Sequence, residues 1–135
     1  MTRDEVMALS DEELQITAAR HAGFSEVGIA YVSIPWLMDI CEDMLAGRIG
    51  GELVAIPDYP HDIAAAWELV KQLERDGFKT SVHTGMIDPM TGDVLDDSSA
   101  AIWNHDDIYW VGTAGPGESP LAITRAFVLA MTEGK

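Results

Sequence analysis

Basic residues are scarce in this chain. Eight Lys and Arg stand against 23 Asp and Glu, for a formal net charge of −15 at pH 7. A surface that binds nucleic acid through its phosphates needs more cations than that, so direct nucleic-acid binding is not expected. Cysteine is nearly absent too: Cys41 stands alone, without a disulfide partner in the chain, which fits a reducing intracellular setting better than a secreted one. Every apolar run is cut by a charge, a glycine or a proline before it reaches membrane-spanning length. The first residues carry Asp4, Glu5, Asp11, Glu12 and Glu13, unlike the basic start of a signal peptide. The expectation is a cytoplasmic protein with no membrane partner.

Recognisable catalytic motifs are missing as well. No HExxH, CxxC, P-loop, GxSxG or GxGxxG pattern occurs, and His21, His61, His83 and His105 stand at no metal-ligand spacing from one another or from Cys41. No cofactor, no metal and no enzymatic activity is expected. The pair His61-Asp62 is like the adjacent His-Asp of metal-dependent phosphohydrolases, but capping and dipole stabilisation at a helix start account for Asp62 without a metal. His105 with Asp106 and Asp107 is open to a metal or to plain solvation. His83, inside a strand, is read as a surface or interface residue, with a functional role the lesser reading.

What the chain does contain is enough apolar residue for one core: 135 residues, 47% of them hydrophobic, the size of one domain that needs no disulfide or metal staple. The segment from Ile56 to Gly77 holds a complete helix. Pro57 and Pro60 keep the backbone out of the helical region, or Pro60 occupies the first turn. Ile63, Ala66, Trp67, Val70 and Leu73 then recur at spacings of three and four, and Gly77 ends the run in a left-handed cap. Trp67 is expected in the core. Ser10 and Glu13 form a capping box for a helix ending near Gly23, with a short helical turn before it. Glu26–Ser33 reads as a strand. Trp36, Leu37, Ile40, Met44 and Leu45 suggest a second helix opened by Ser33 and Pro35.

Further on, Glu52–Ile56, Phe78–Met86, Ala100–Trp103 and Asp107–Gly112 read as strands, the last two joined by a hairpin loop. Asp93–Ser99 shows no period, and Ser119-Pro120 opens a final helix through Met131. The fold class expected is α+β: one domain, 1–135, in which a mostly antiparallel sheet is covered by helices in a layered sandwich.

Three of these elements carry a resemblance. The P-x-Y-x-x-DIAAAW-x-L-V-x-x-L helix from Pro57 to Leu73, the SPLAI-x-RA-x-x-x-A helix from Ser119 to Ala130 and the opening MTRDEVMALSDEEL resemble the small proteins of the phage ABA sandwich domain family. The stretch from Tyr31 to Gly51 is longer than in that family, and Pro60 takes the place of a polar residue. The resemblance implies a layered fold and a phage or prophage setting, hence the host cell cytoplasm. Size, layered fold and oligomeric habit are also similar to Thoeris-type anti-defence sponges, which sequester nucleotide immune signals.

On that footing the expected function is non-catalytic anti-defence by sequestration of a small nucleotide, with self-association into a homo-oligomer. Arg48 beside Gly50-Gly51, Arg125 within the apolar helix, and the aromatics Trp36 and Tyr109 are the candidate ligand contacts: guanidinium groups for phosphates and aromatic rings for a base. Arg125 is equally open to a carboxylate partner, and the aromatics to a subunit interface. Two other classes stay open: an acidic mimic of nucleic acid, centred on Asp93, Asp96, Asp97 and Asp106, that inhibits a host protein, and a small enzyme.

Overall fold

A computed structural model describes residues 1–34 and 40–133. The fold is α+β, with antiparallel sheets packed against helices. The helices are α1 (Arg3–Met7), α2 (Asp11–His21), α3 (Ile63–Arg75) and α4 (Ser119–Glu133). The strands are β1 (Ser25–Ile34), β2 (Ile40–Ile49), β3 (Glu52–Ala55), β4 (Lys79–His83), β5 (Met86–Ile87), β6 (Val94–Asp96), β7 (Ser98–Trp103) and β8 (Tyr109–Ala114). Among the described residues no helix is long and apolar enough to cross a membrane.

The centre of the molecule is α4, in which eleven of fifteen residues are buried. Such a helix is apolar all round because both sides are covered: β7 and β8 lie against one side, and α1, α2 and α3 against the other. Of the two three-stranded sheets, β1-β2-β3 and β4-β7-β8, it is the second that packs on α4, and its inner face presents Ser98, Ala100, Ile102, Trp110, Gly112 and Ala114, all buried. Tyr109 and Trp110 point to opposite faces, as neighbours on a strand must: Trp110 is buried edge-on to Phe78, and Tyr109 is exposed.

Two helices end in the same device. In α3 the Gly77 N–H donates to the Glu74 carbonyl at 3.1 Å and the Phe78 N–H to the Leu73 carbonyl at 2.9 Å. In α2 the Gly23 N–H bonds Arg20 and the Phe24 N–H bonds Ala19 in the same pattern. Both glycines have positive φ, as this Schellman geometry demands. The Ser10/Glu13 capping box is formed.

Three expectations are corrected. The second helix does not exist over the described residues: Ile40–Ile49 is β2, zipped antiparallel onto β1 from Ile34↔Ile40 to Ser25↔Arg48. Its helical spacing came from few apolar residues, and β1, a strand with an unsatisfied edge, gains a backbone ladder from a β2 partner that a helix cannot supply. Trp36 lies outside the described residues. Of the two places open to Pro60 it takes the first, the turn before α3, and Asp62 is the N-cap, its carboxylate accepting from the Ala64 N–H at 3.0 Å. The stretch without a period contains β6 and the start of β7, because two- and three-residue strands are too short to show alternation.

The third correction concerns Trp67. Ala65, Ala66, Leu69, Val70 and Leu73 form the buried stripe of α3. At roughly 100° per residue Trp67 stands about 120° around the helix from Leu73, and it is 45% exposed. Leu69, Val70, Leu73 and two alanines already fill the space against α4, so the indole is left at the shoulder, above the edge of the sheet.

Candidate functional site

That shoulder is one wall of a cleft. Ile63 and Trp67, one turn apart on α3, face Val82 and Thr84 at the end of β4, and Gly117, Ser119 and Pro120 at the start of α4 close the far side around a cavity of about 500 Å3. His61 lines it from the turn preceding α3. A smaller recess of about 150 Å3, lined by Asp11, Glu118 and Leu121, shares His61, Gly117 and Pro120 with it.

Each wall is fixed from behind. The turn 57–62 is folded by Tyr59 N–H to the Pro57 carbonyl at 2.9 Å and Asp62 N–H to the Asp58 carbonyl at 2.8 Å. Tyr59 anchors it by burial, which pushes its hydroxyl pKa up to about 12 with a further push from Glu68. The Gly115–Glu118 loop is tied to β4 through the Thr84 carbonyl, which accepts from the Gly117 N–H at 3.0 Å and from the hydroxyl of buried Ser98 at 2.6 Å. Glu118 folds back to accept from the Gly115 N–H at 3.0 Å. Gly85, at φ +85°, makes the bend that follows, where a Cβ would stand 2.8 Å from the Asp96 carbonyl oxygen.

His61 is the one titrating tie in this frame. Its Nδ1 lies 2.9 Å from Asp58 and its Nε2 2.6 Å from Asp11, the first residue of α2. The hydrogen bonds that it donates to Asp58 and then to Asp11 raise its pKa above the ordinary histidine value, against an opposing effect of burial. With both ring nitrogens engaged by carboxylates, the imidazole has no lone pair free to take a proton from a substrate. It joins α2 to the turn before α3 and brings carboxylates beside the cleft: Asp11 and Glu118 line the adjoining recess, and Asp58 bonds His61. Among the described residues no group of three or more His, Cys, Asp or Glu side chains is placed to hold a metal ion.

The residues singled out in the sequence do not meet here. Arg48 lies on β2, where its Nε is 2.9 Å from Glu26 and its Nη1 donates to the Gly51 carbonyl at 3.3 Å. Glu26 reaches it from the irregular step in β1, at φ 52°. Arg125 lies on α4 and donates from Nη1 to the Thr113 carbonyl at 2.7 Å, while its buried Nε has no partner among the described residues. Tyr109 stacks on Trp103 across the β7–β8 pair with ring centroids 5.6 Å apart. None of these three lines either cavity. His83 bonds Asp96 at 2.6 Å, linking β4 to β6, and His105 lies 3.6 Å from Asp106 in an exposed loop.

The sequence did hold a signal for the cleft. Ile63 and Trp67 are an i, i+4 pair beside a stripe that Ala66, Leu69, Val70 and Leu73 complete without them. Set against known proteins, the chain matches no family model, no curated protein and no solved structure.

Proposed function

We propose that this protein is a non-catalytic binding protein that sequesters its ligand in the cleft between α3, β4 and the start of α4. One observation carries the reading: a tryptophan 45% exposed beside the buried stripe of α3 walls, with Ile63, Val82 and Pro120, a cavity of about 500 Å3. Concave, largely apolar sites of this size with a few polar groups at the rim are what small ligands and side chains occupy. The group bound against Trp67 is apolar or planar, and neutral or cationic, because no Lys or Arg lines the cleft, Asp11 and Glu118 line the recess beside it, and Asp58 and Asp11 hold His61 at its rim. A nucleobase meets that description; the phosphates of a nucleotide must then point out of the cleft. The resemblance to phage ABA sandwich proteins supplies the setting, an accessory protein that interferes with host defence by binding.

The test is native mass spectrometry of the purified protein with the small molecules it retains. Retention should be lost in Trp67→Ala and kept in Arg48→Ala; the reverse pattern ends the reading. A second reading, acidic mimicry, is favoured by one observation: from Thr80 to Thr124 the chain has no Lys or Arg but carries Asp88, Asp93, Asp96, Asp97, Asp106, Asp107 and Glu118. Replacing Asp93, Asp96 and Asp97 with Asn separates it, since only mimicry requires those carboxylates.

A further inference from the structure

The two edges of the β4-β7-β8 sheet are finished differently. Along β8 the Arg3 Nε–H donates to the Val111 carbonyl at 3.5 Å and the Arg125 Nη1–H to the Thr113 carbonyl at 2.7 Å. Carbonyls two residues apart in a strand point the same way, so both guanidinium groups close one edge. Side-chain caps of this kind disfavour the addition of a further strand. β4 is the opposite edge and pairs with β7 alone. Among the described residues no loop or side chain hydrogen-bonds the backbone of Lys79–His83 along its outer side. Beside that open edge stands α3, and Val82 of the same strand forms the cleft with Ile63 and Trp67.

We propose that the β4 edge and the cleft together form a strand-addition site for an extended, basic segment of a partner protein. The segment's main chain continues the sheet on β4, one apolar side chain enters the cleft against Trp67, and its Lys or Arg residues meet the carboxylates beside it. This mode takes its affinity from main-chain hydrogen bonds and its selectivity from pockets for alternate side chains.

Charge selects the occupant. Asp11 and Asp58 are about half exposed and share one histidine between them, and Glu118 lines the adjoining recess. A second copy of this chain would bring a net charge of −15 against −15, with Lys79 the one lysine on β4 to offset it. A basic peptide gains from the same field. The inference rests on the reading of the cleft as the binding site and adds to it the chemistry of what binds.

The experiment uses the full chain and a labelled, acetylated octapeptide alternating Lys and Val, followed by fluorescence anisotropy and by hydrogen exchange of the bound protein. Binding is expected with slowed exchange in Lys79–His83, weakened on the order of tenfold or more in Trp67→Ala, weakened by salt, and absent for a Glu-Val peptide and for the Lys-Val peptide N-methylated throughout. Protection at β8 instead, equal binding of the N-methylated peptide, or dimerisation of the protein through β4 overturns the proposal. If planar small molecules bind at Trp67 while the Lys-Val peptide does not, the peptide inference falls and the cleft stands. If neither binds, both fall.

Discussion

Gly112 of β8 lies so close to Ala122 of α4 that a Cβ on Gly112 would stand 2.3 Å from the Ala122 carbonyl oxygen and 2.5 Å from the Ala126 nitrogen. The obstacle is helix backbone, which cannot turn aside as a side-chain tip can. Small residues on the helix, Ala122 and Ala126, and a glycine on the strand let the two approach. Gly112→Ala should therefore push α4 off the sheet and cost about 1–3 kcal/mol or more, as overpacking of a tight core does. Chemical denaturation checks it: a midpoint equal to that of the wild type contradicts the packing.

Trp67 and Leu73 sit on one helix and should behave differently. Leu73→Ala removes a fully buried side chain and should cost about 2–5 kcal/mol. Trp67→Ala, at the half-exposed shoulder, should cost less than Leu73→Ala while abolishing binding in the cleft. Paired thermal melts decide it, and a larger loss for Trp67→Ala than for Leu73→Ala would return the indole to the core.

Much of the fold was legible where local chemistry dictates it. The capping box at Ser10 and Glu13, the Gly77 stop, the Trp103–Tyr109 hairpin and the Ser119 helix start all stand as short-range rules place them. The β1–β2 ribbon was not legible, because its register joins Ile34 to Ile40 and Ser25 to Arg48, and pairing between segments leaves no periodic mark on either one. The site was missed for a related reason. Ile63 and Trp67 carry the same apolar signature as the core stripe, and only the crowding of α3 against α4 shows that the stripe was already full. The arginines drew attention by their scarcity, whereas at least Arg125 has a structural partner in the Thr113 carbonyl.

His61 should make stability depend on pH. Its pKa is raised in the folded state above the ordinary 6.5 by Asp58 and Asp11, so the folded protein holds the proton more tightly than the unfolded chain. The contribution is fully present below about 6.5, the unfolded value, and is lost as pH rises through the raised folded value. Both partners are largely exposed, so the effect is small. Thermal melts from acidic to mildly alkaline pH should show this decline in the wild type and lose it in His61→Gln. An identical profile in the variant would contradict the tie.

Arg125 should matter for the sheet edge as much as for stability. Arg125→Met keeps the aliphatic stem and removes the donor to Thr113, which should cost about 1–3 kcal/mol. It should also expose the β8 edge to other chains, seen as concentration-dependent association by light scattering. A variant as stable and as monodisperse as the wild type would show that the edge is closed by other means.

The central claim is that ligands enter the cleft at Trp67 and not the arginine-bearing surfaces. Its most direct test is a protein-observed NMR titration with three probe classes: neutral planar molecules, cationic planar molecules and phosphorylated nucleotides. The account predicts shift changes centred on the Trp67 indole and the Ile63 and Val82 methyl groups, with neutral and cationic probes ahead of the phosphorylated ones. Shifts centred on Arg48 or Arg125 with the phosphorylated probes leading, and a silent Trp67, would contradict it.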